Sequence, residues 1–359
     1  MNARTLLILV IAAAAALLAG YWLADDSGND AASMALLPGL EEAVNNVSAI
    51  GIYAEPDTPA VTIERGEDAW QVVQKGNYPA DIGRVRSLLL ALAEARRIEP
   101  KTSNPDYYER LGVQALGSGE NFRIKLGGVD VPGLLVGDSV PGRGAFYARL
   151  DGMAASWLAS GTVDVPLDPQ QWLDTDLLDI AAARIADITI SHPDDSSLTV
   201  ARPVFGGDLV LEEKPEAREL ARANILDDVA GSLATLTLTD VQRRDTLELP
   251  SDPVRVRART VDGLVIDATL YAVDDRRYLA LETGVDESVA SRFRPTADDD
   301  DPENETGETD LPPPDMSEVE REATQLNERL AGWIFSIGTA RYDQLTRRLE
   351  DLLAAVEPD

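Results

Sequence analysis

The feature that most constrains this fold is a pattern of strands and a helix that the sequence carries twice. The first occurrence predicts strands at 48–53, 61–65 and 70–73, then a helix with Asp81 as its N-cap. The second predicts strands at 185–190, 197–201 and 208–211, then a helix capped by Asn224, so that residues 221–224 take the place of residues 78–81. Apolar residues at helical spacing follow both caps: Val85, Leu88, Leu89 and Leu92, then Leu226, Val229, Leu233 and Leu236.

The later parts of the two occurrences also correspond. Predicted strands at 122–126, 134–136 and 144–150 resemble those at 254–257, 264–270 and 277–281, and the closing segments are 172–179 and 345–353. Such self-similarity indicates two copies of one unit. We therefore predict an α+β fold: an N-terminal transmembrane helix followed by two similar modules, each a mostly antiparallel sheet with helices packed on one side.

The C-terminal part of the second copy is interrupted by an acidic stretch. Residues 298–315 contain nine acids and no base, a composition that does not favour a packed core. Ser317 is the predicted N-cap of a helix to Ala331, residues 333–337 are a predicted strand of the second sheet, and residues 342–356 are a predicted helix with one apolar stripe. The predicted segments are an anchor at 1–24, a linker at 25–47, modules at 48–180 and 181–297, an acidic disordered insertion at 298–316, and residues 317–359 completing the second module.

The segment Leu6–Leu23 is predicted to cross a membrane. Its eighteen residues carry no charge, and at about 1.5 Å per residue a helix of this length covers roughly 27 Å. Arg4 precedes the segment and Asp25 follows it, so the positive-inside rule places the N-terminus in the cytoplasm. The alternative is a cleaved signal peptide, with cleavage near Ala19 or Ala24. Both interpretations place the body outside the cytoplasm, and a retained anchor predicts a single-pass protein of the bacterial inner membrane with a periplasmic body.

The composition argues against several classes of function. The formal charge of −31 opposes binding to nucleic acid and to anionic lipid headgroups. Cysteine is absent and His192 is the only histidine, which disfavours thiol catalysis, most zinc sites and the common catalytic triads. We therefore predict no catalytic, cofactor-binding or metal-binding residues and no cofactor.

The candidate sites that remain have structural explanations that we favour. His192 lies in a predicted turn, and no Gly-x-Ser-x-Gly motif accompanies it. The acidic pairs 227–228 and 274–275 are expected to be solvated, the run 298–301 lacks the spacing of an EF-hand loop, and the glycines between 127 and 144 are expected in hairpin turns. Lys101, Thr102 and Tyr108 could form a ligand-binding corner, but packing of Tyr108 is the preferred hypothesis. Trp70 and Trp172 are predicted to be core residues.

A family resemblance is carried by four segments in a particular order. They are Trp70, Tyr78–Asp81, Lys101–Pro105 and Tyr108–Val113. This order resembles the bacterial family catalogued as domain of unknown function 4340, whose members begin with a membrane helix and end with patterns similar to residues 333–337, 341–343 and 349–353. The resemblance implies that the gene lies near components of gliding-motility-type ABC transporters. It implies no catalytic residues.

Three hypotheses for function follow. The first is a non-catalytic extracytoplasmic scaffold or adaptor, held in the inner membrane through residues 6–23 and auxiliary to an ABC-type transport or envelope complex, with a permease as the expected protein partner. The second is a binding module for an envelope glycan or peptide in a cleft between the modules. The third is an envelope hydrolase that uses carboxylates. The sequence leaves the oligomeric state open.

Overall fold

The computed structural model describes residues 34–117, 121–293 and 315–355. The predicted anchor at 6–23 lies outside these ranges, as does the acidic insertion apart from its last two residues. Within the described ranges, no helix has the length and apolar content that crossing a membrane requires. The chain divides into two compact units, one ending at Asp174 and the other beginning at Thr175.

Unit 1 is built on a nine-stranded sheet in which every described strand pair is antiparallel. Its strand order is β4-β3-β2-β1-β6-β7-β8-β9-β5. Its elements are β1 (Ala49–Tyr53), β2 (Val61–Arg65), β3 (Trp70–Val72), β4 (Tyr78–Pro79), β5 (Arg97–Pro100), β6 (Phe122–Gly127), β7 (Leu134–Val140), β8 (Ala145–Leu150), β9 (Ser156–Ser160), and the helices α1 (Leu40–Ala43) and α2 (Ile82–Glu94).

Unit 2 contains an eight-stranded antiparallel sheet of order β13-β12-β11-β16-β17-β18-β19-β15, and a separate pair of β10 with β14. Its strands are β10 (Asp176–Asp179), β11 (Ile185–Ser191), β12 (Ser197–Ala201), β13 (Val210–Leu211), β14 (Thr235–Thr237), β15 (Asp240–Arg243), β16 (Val254–Thr260), β17 (Leu264–Val273), β18 (Arg276–Val285) and β19 (Trp333–Ser336). Its helices are α3 (Ile225–Ala230), α4 (Glu287–Arg292), α5 (Ser317–Leu330), α6 (Thr339–Leu345) and α7 (Leu349–Leu352).

The same strand order therefore recurs in the two units, apart from the short β4 of unit 1. One backbone bridge recurs as well. In unit 1, Asp81 N donates to Trp172 O and Asp174 N donates to Pro79 O. In unit 2, Ala221 N donates to Leu352 O and Ala354 N donates to Glu219 O. Residues 219–221 of unit 2 are thus the structural equivalents of residues 79–81 of unit 1. The prediction that residues 221–224 correspond to residues 78–81 is therefore wrong by three residues.

The α+β class with mostly antiparallel sheets is confirmed for the described body. Periodic apolar residues form the cores of both units. In unit 1, Val85, Leu88, Leu89 and Leu92 of α2 are buried, and in unit 2, β11 buries Ile188 and Ile190. The predicted strand 333–337 is β19, which pairs with β15 and β18 of the second sheet as expected. The units divide after Asp174, earlier than the predicted residue 180, because β10 pairs with β14 of unit 2.

Three predicted helices differ from the structure. The helix after Asn224 ends at Ala230, and Leu236 lies in β14, where it is buried between two exposed threonines. Asn224 makes no side-chain capping bond. The N-cap of α5 is Met316 rather than Ser317, because Ser317 N donates to the Asp315 carboxylate. The predicted helix at 342–356 is interrupted between α6 and α7, and Val356 lies outside the described residues.

Candidate binding groove

One wall of an open groove in unit 1 is the exposed side of α2. Asp81 fixes the start of this helix, since its side chain accepts a hydrogen bond of 3.1 Å from Arg84 N. Ile82, Arg86 and Leu90 follow at four-residue intervals and are exposed, whereas Val85 and Leu89 beside them are buried. The ridge formed by Ile82, Arg86 and Leu90 borders the groove, and the two buried residues contribute to its floor.

The opposite wall is formed by the turn before β1 and by the ends of β2 and β3. Val44 and Val47 come from that turn, and Arg65 and Trp70 face each other as a registered strand pair. The groove has a volume of about 550 Å³. A second hollow of about 390 Å³ lies at the 66–69 hairpin and also borders Arg65, Trp70 and Ile82. We call these two adjoining cavities the Trp70 groove.

The charges around the Trp70 groove are unevenly placed. Arg65 Nη1 donates to the Asn45 carbonyl at 3.1 Å, and Arg86 is exposed on α2. Among the described residues, neither arginine takes part in an ion pair. Glu67 and Asp68 border the hollow at the hairpin end. The groove thus combines an apolar floor, two guanidinium groups and an acidic end.

Comparison with known families identifies the chain's relatives. A model of the family described as "Domain of unknown function (DUF4340)" matches residues 70–253, more than half of the 359-residue chain. The chain belongs to this family. No curated protein and no solved structure was found to match it. The DUF4340 match begins at Trp70 and includes the whole of α2, so it contains one wall of the groove and Trp70, whereas Arg65 and the turn before β1 precede it.

The two tryptophans predicted as core residues differ in the structure. Trp172 is fully buried, and its Nε1 donates to the Pro166 carbonyl at 3.0 Å. Trp70 is only partly buried, because it is the first residue of the short strand β3, directly after the 66–69 hairpin beside the groove. The sequence alone therefore missed the role of Trp70 as a groove wall.

The three residues of the predicted ligand-binding corner, Lys101, Thr102 and Tyr108, each make a structural contact. Tyr108 is buried, and its hydroxyl donates to the Ala154 carbonyl at 2.6 Å, as the packing hypothesis expects. Thr102 Oγ1 accepts from Asn104 N at 3.1 Å. Lys101 forms an ion pair of 2.9 Å with Glu99. These contacts hold the segment after β5 in place.

His192 lies in the turn between β11 and β12 and is nearly buried. Its Nε2 is 3.2 Å from the Arg347 carbonyl, so the turn contacts the segment between α6 and α7. In the same turn, hydrogen bonds from the Ser196 side chain and backbone, and then from Arg348, lower the pKa of Asp194 to about 2. Among the described residues, no group of His, Asp or Glu has the arrangement of a metal site.

The remaining predicted candidates are separate from the groove. Asp228 of α3 pairs with Arg222 at 2.5 Å, and Asp274 adopts a left-handed φ of 50° in the turn between β17 and β18. Gly128, Gly142 and Gly144 have positive φ, as expected for turns, but Gly137 lies inside β7. The acidic run at 298–301 lies outside the described residues.

An ion-pair network in unit 2 was not predicted. Asp187, whose side chain is 4% exposed, lies between Arg259 at 2.9 Å and Arg292 at 3.3 Å. Arg184 pairs with Asp262 at 2.8 Å and with Glu322 at 2.5 Å. Since Arg292 belongs to α4 and Glu322 to α5, the network fastens both helices to the sheet.

The pKa shifts in this network have the direction that ion pairing produces. The hydrogen bond with Glu322 raises the pKa of Arg184, and burial only partly opposes it. Burial disfavours ionisation of Asp262, but hydrogen bonds from Arg184 and Thr260 outweigh it, so the pKa of Asp262 is lowered. These groups therefore stay charged at neutral pH and hold the structure together.

One signal in the sequence could have located the groove. The segment 82–92 has more apolar residues than one buried stripe needs, because Ile82 and Leu90 are additional to Val85, Leu88, Leu89 and Leu92. An apolar excess on a helix indicates a second contact surface. The arrangement in the folded chain can bind an apolar side chain beside an anionic group.

Proposed function

We infer that this DUF4340 protein is a non-catalytic extracytoplasmic scaffold or adaptor. In this proposal residues 6–23 hold it in the bacterial inner membrane with its body in the periplasm. It would serve an ABC-type transport or envelope complex by binding a protein partner such as a permease. The observation that carries the proposal is the Trp70 groove, in which no described residue covers Ile82, Leu90 or the two arginines, on an otherwise acidic protein.

The electrostatics of the described residues support a binding role over a catalytic one. Among the described residues, carboxyl groups with a lowered pKa belong to ion pairs or turn caps, as at Asp262, Asp286 and Asp194. A general acid would instead need a carboxyl group whose pKa is raised toward neutrality. The resemblance to proteins encoded near ABC-type components gives the proposal its membrane context.

Tethering explains how an open groove of this size would suffice. A membrane anchor keeps the body at high effective concentration near other membrane proteins, so that a contact of modest intrinsic affinity is occupied. The high negative charge of the chain would disfavour unspecific association with acidic surfaces. Specificity would then come from the few exposed apolar residues of the groove.

The test is recovery of partners from membranes by the full chain. Affinity purification under mild detergent is expected to recover a permease or its companion subunit, and the double variant Trp70→Ala with Leu90→Ala is expected to lower this recovery at least about fivefold. Phe205→Ala is a matched control, because Phe205 is an exposed aromatic residue of unit 2, 63% accessible. Recovery of the chain without any partner, or equal losses for both variants, would contradict the proposal.

A further inference from the structure

The exposed ridge of α2 has the dimensions of a helix-packing surface. Ile82, Arg86 and Leu90 repeat every four residues, and the helix rises about 1.5 Å per residue, so the ridge extends about 12 Å, or two turns. Rows of residues four apart are the ridges with which one helix packs against another. The groove beside this ridge therefore offers a second helix a matching surface.

Exposing the apolar side chains of this ridge to water is unfavourable in free energy unless another surface covers them. Ile82 is 51% exposed and Leu90 is 46% exposed, although both lie on a regular helix whose other large apolar residues are buried. Trp70 adds a partly buried aromatic ring to the facing wall. Covering such apolar area gains roughly 25 cal/mol per Å², and aromatic residues are enriched where proteins bind each other.

The charges indicate what the covering helix carries. The chain has 63 acidic residues against 32 basic ones, yet the charged residues bordering the larger cavity of the Trp70 groove, that of about 550 Å³, are Arg65 and Arg86. Neither has a carboxylate partner among the described residues. Two unpaired guanidinium groups beside an apolar floor complement a carboxylate that lies next to apolar side chains.

We propose that the Trp70 groove binds one amphipathic helix of a partner protein, with its apolar stripe against Trp70, Ile82 and Leu90 and a carboxylate beside Arg65 and Arg86. Apolar residues at i, i+3, i+4 and i+7 are the anchors of this mode of recognition. The acidic hairpin end at Glu67 and Asp68 disfavours further carboxylates there and so orients the helix. This inference rests on the proposed adaptor function and specifies the chemistry of its partner.

The experiment uses the full chain with a photoreactive phenylalanine analogue in place of Leu90. The probes are two synthetic helical peptides of fourteen residues with the same leucine stripe. At the position beside this stripe, one peptide has glutamate and the other has lysine. The glutamate peptide is expected to form about fivefold more adduct at residue 90, as expected for one or two exposed ion pairs. The double variant Arg65→Glu with Arg86→Glu is expected to reverse the preference. The same analogue at Phe205, exposed in unit 2, is the matched control and is expected to give no preference.

The outcomes separate this inference from the broader proposal. Equal adducts with both peptides, a preference that survives the charge reversal, or adducts only with lipid or with a second copy of the chain would overturn the helix assignment. If membrane purification still recovers a partner, the proposed adaptor function stands although the helix assignment is wrong. If the peptides behave as expected but no partner is recovered, the chemistry of the groove stands and the adaptor function fails.

Discussion

At the scale of single residues, Asp187 shows how unit 2 uses a buried charge. Its carboxylate is the one buried acid within the described ranges, and it bonds to Arg259 and Arg292. Replacing it by Asn removes the carboxylate that pairs with Arg292 and leaves Arg259 with Asp286, at 3.3 Å, as its remaining counter-charge. We expect Asp187→Asn to lower the free energy of unfolding by about 2 kcal/mol, less than for a fully buried pair because both arginines are partly exposed.

Urea unfolding followed by far-UV circular dichroism measures this loss. Asp267→Asn is the matched control, since Asp267 also pairs with an arginine of β16, but both side chains of that pair are exposed. Its loss is expected to stay below about 1 kcal/mol. Equal losses of unfolding free energy in the two variants would show that burial of Asp187 does not strengthen the contribution of its ion pairs to stability.

Asp194 provides a pH-dependent contact at the same scale. Its pKa in the folded chain is about 2, against 3.8 for an unperturbed aspartate, with the Ser196 hydroxyl as the largest cause. The ionised form therefore stabilises the fold at pH above 3.8, and this contribution is lost as the pH falls through about 2. We expect Ser196→Ala to raise the pKa of Asp194 toward 3.8, as measured from its carboxyl carbon shift by NMR. The neighbouring Ser197→Ala is the control, and titration near 3.8 in the unmodified chain would contradict the assignment.

At the scale of elements, Gly137 couples β7 to the short helical turn at 109–111. It lies at a break in the β7–β8 register, and a Cβ at this position would be 2.1 Å from the Leu111 carbonyl. We expect Gly137→Ala to lower the stability of unit 1 by about 2 kcal/mol, because backbone must move to make room. Tryptophan fluorescence during urea unfolding reports this, since three of the four tryptophans among the described residues, Trp70, Trp157 and Trp172, lie in unit 1. Gly284→Ala, where a Cβ meets nothing within 4 Å, is expected to change little.

Elements with strong local signals were predictable, and those that depend on distant contacts were not. The helix α2 combines a cap at Asp81 with four buried residues at helical spacing, and the prediction for it is confirmed. Leu233 and Leu236 continue that spacing after α3 only by coincidence, because Leu236 pairs with β10, more than fifty residues earlier in the chain. The break between α6 and α7 has a similar cause: Arg348 bonds to Asp194, in a turn of the same unit that is distant in sequence.

At the scale of the whole molecule, the repeat predicted the strand content but not the position of every strand. The edge strand β5 follows α2 in sequence, β15 follows α3 and the short β14, and the two edge strands join their sheets beside β9 and β19. No local pattern specifies that crossing, because it depends on which edge is left open when the other strands have paired. The Trp70 groove was missed for the same reason, since its two walls meet only in the folded unit.

The proposed anchoring of the chain in the inner membrane, and the orientation that goes with it, can be tested because the chain contains no cysteine. A single introduced thiol is then the only target of a membrane-impermeant maleimide. We expect Phe205→Cys to be labelled in intact spheroplasts, since Phe205 is 63% exposed and the proposed orientation, which follows the positive-inside rule, has the body outside the cytoplasm. Asn2→Cys is the matched control and should be labelled only after lysis, because it precedes the segment 6–23. Labelling of Asn2→Cys in intact spheroplasts, or of Phe205→Cys only after lysis, would reverse the proposed orientation and remove the periplasmic site on which the adaptor function depends.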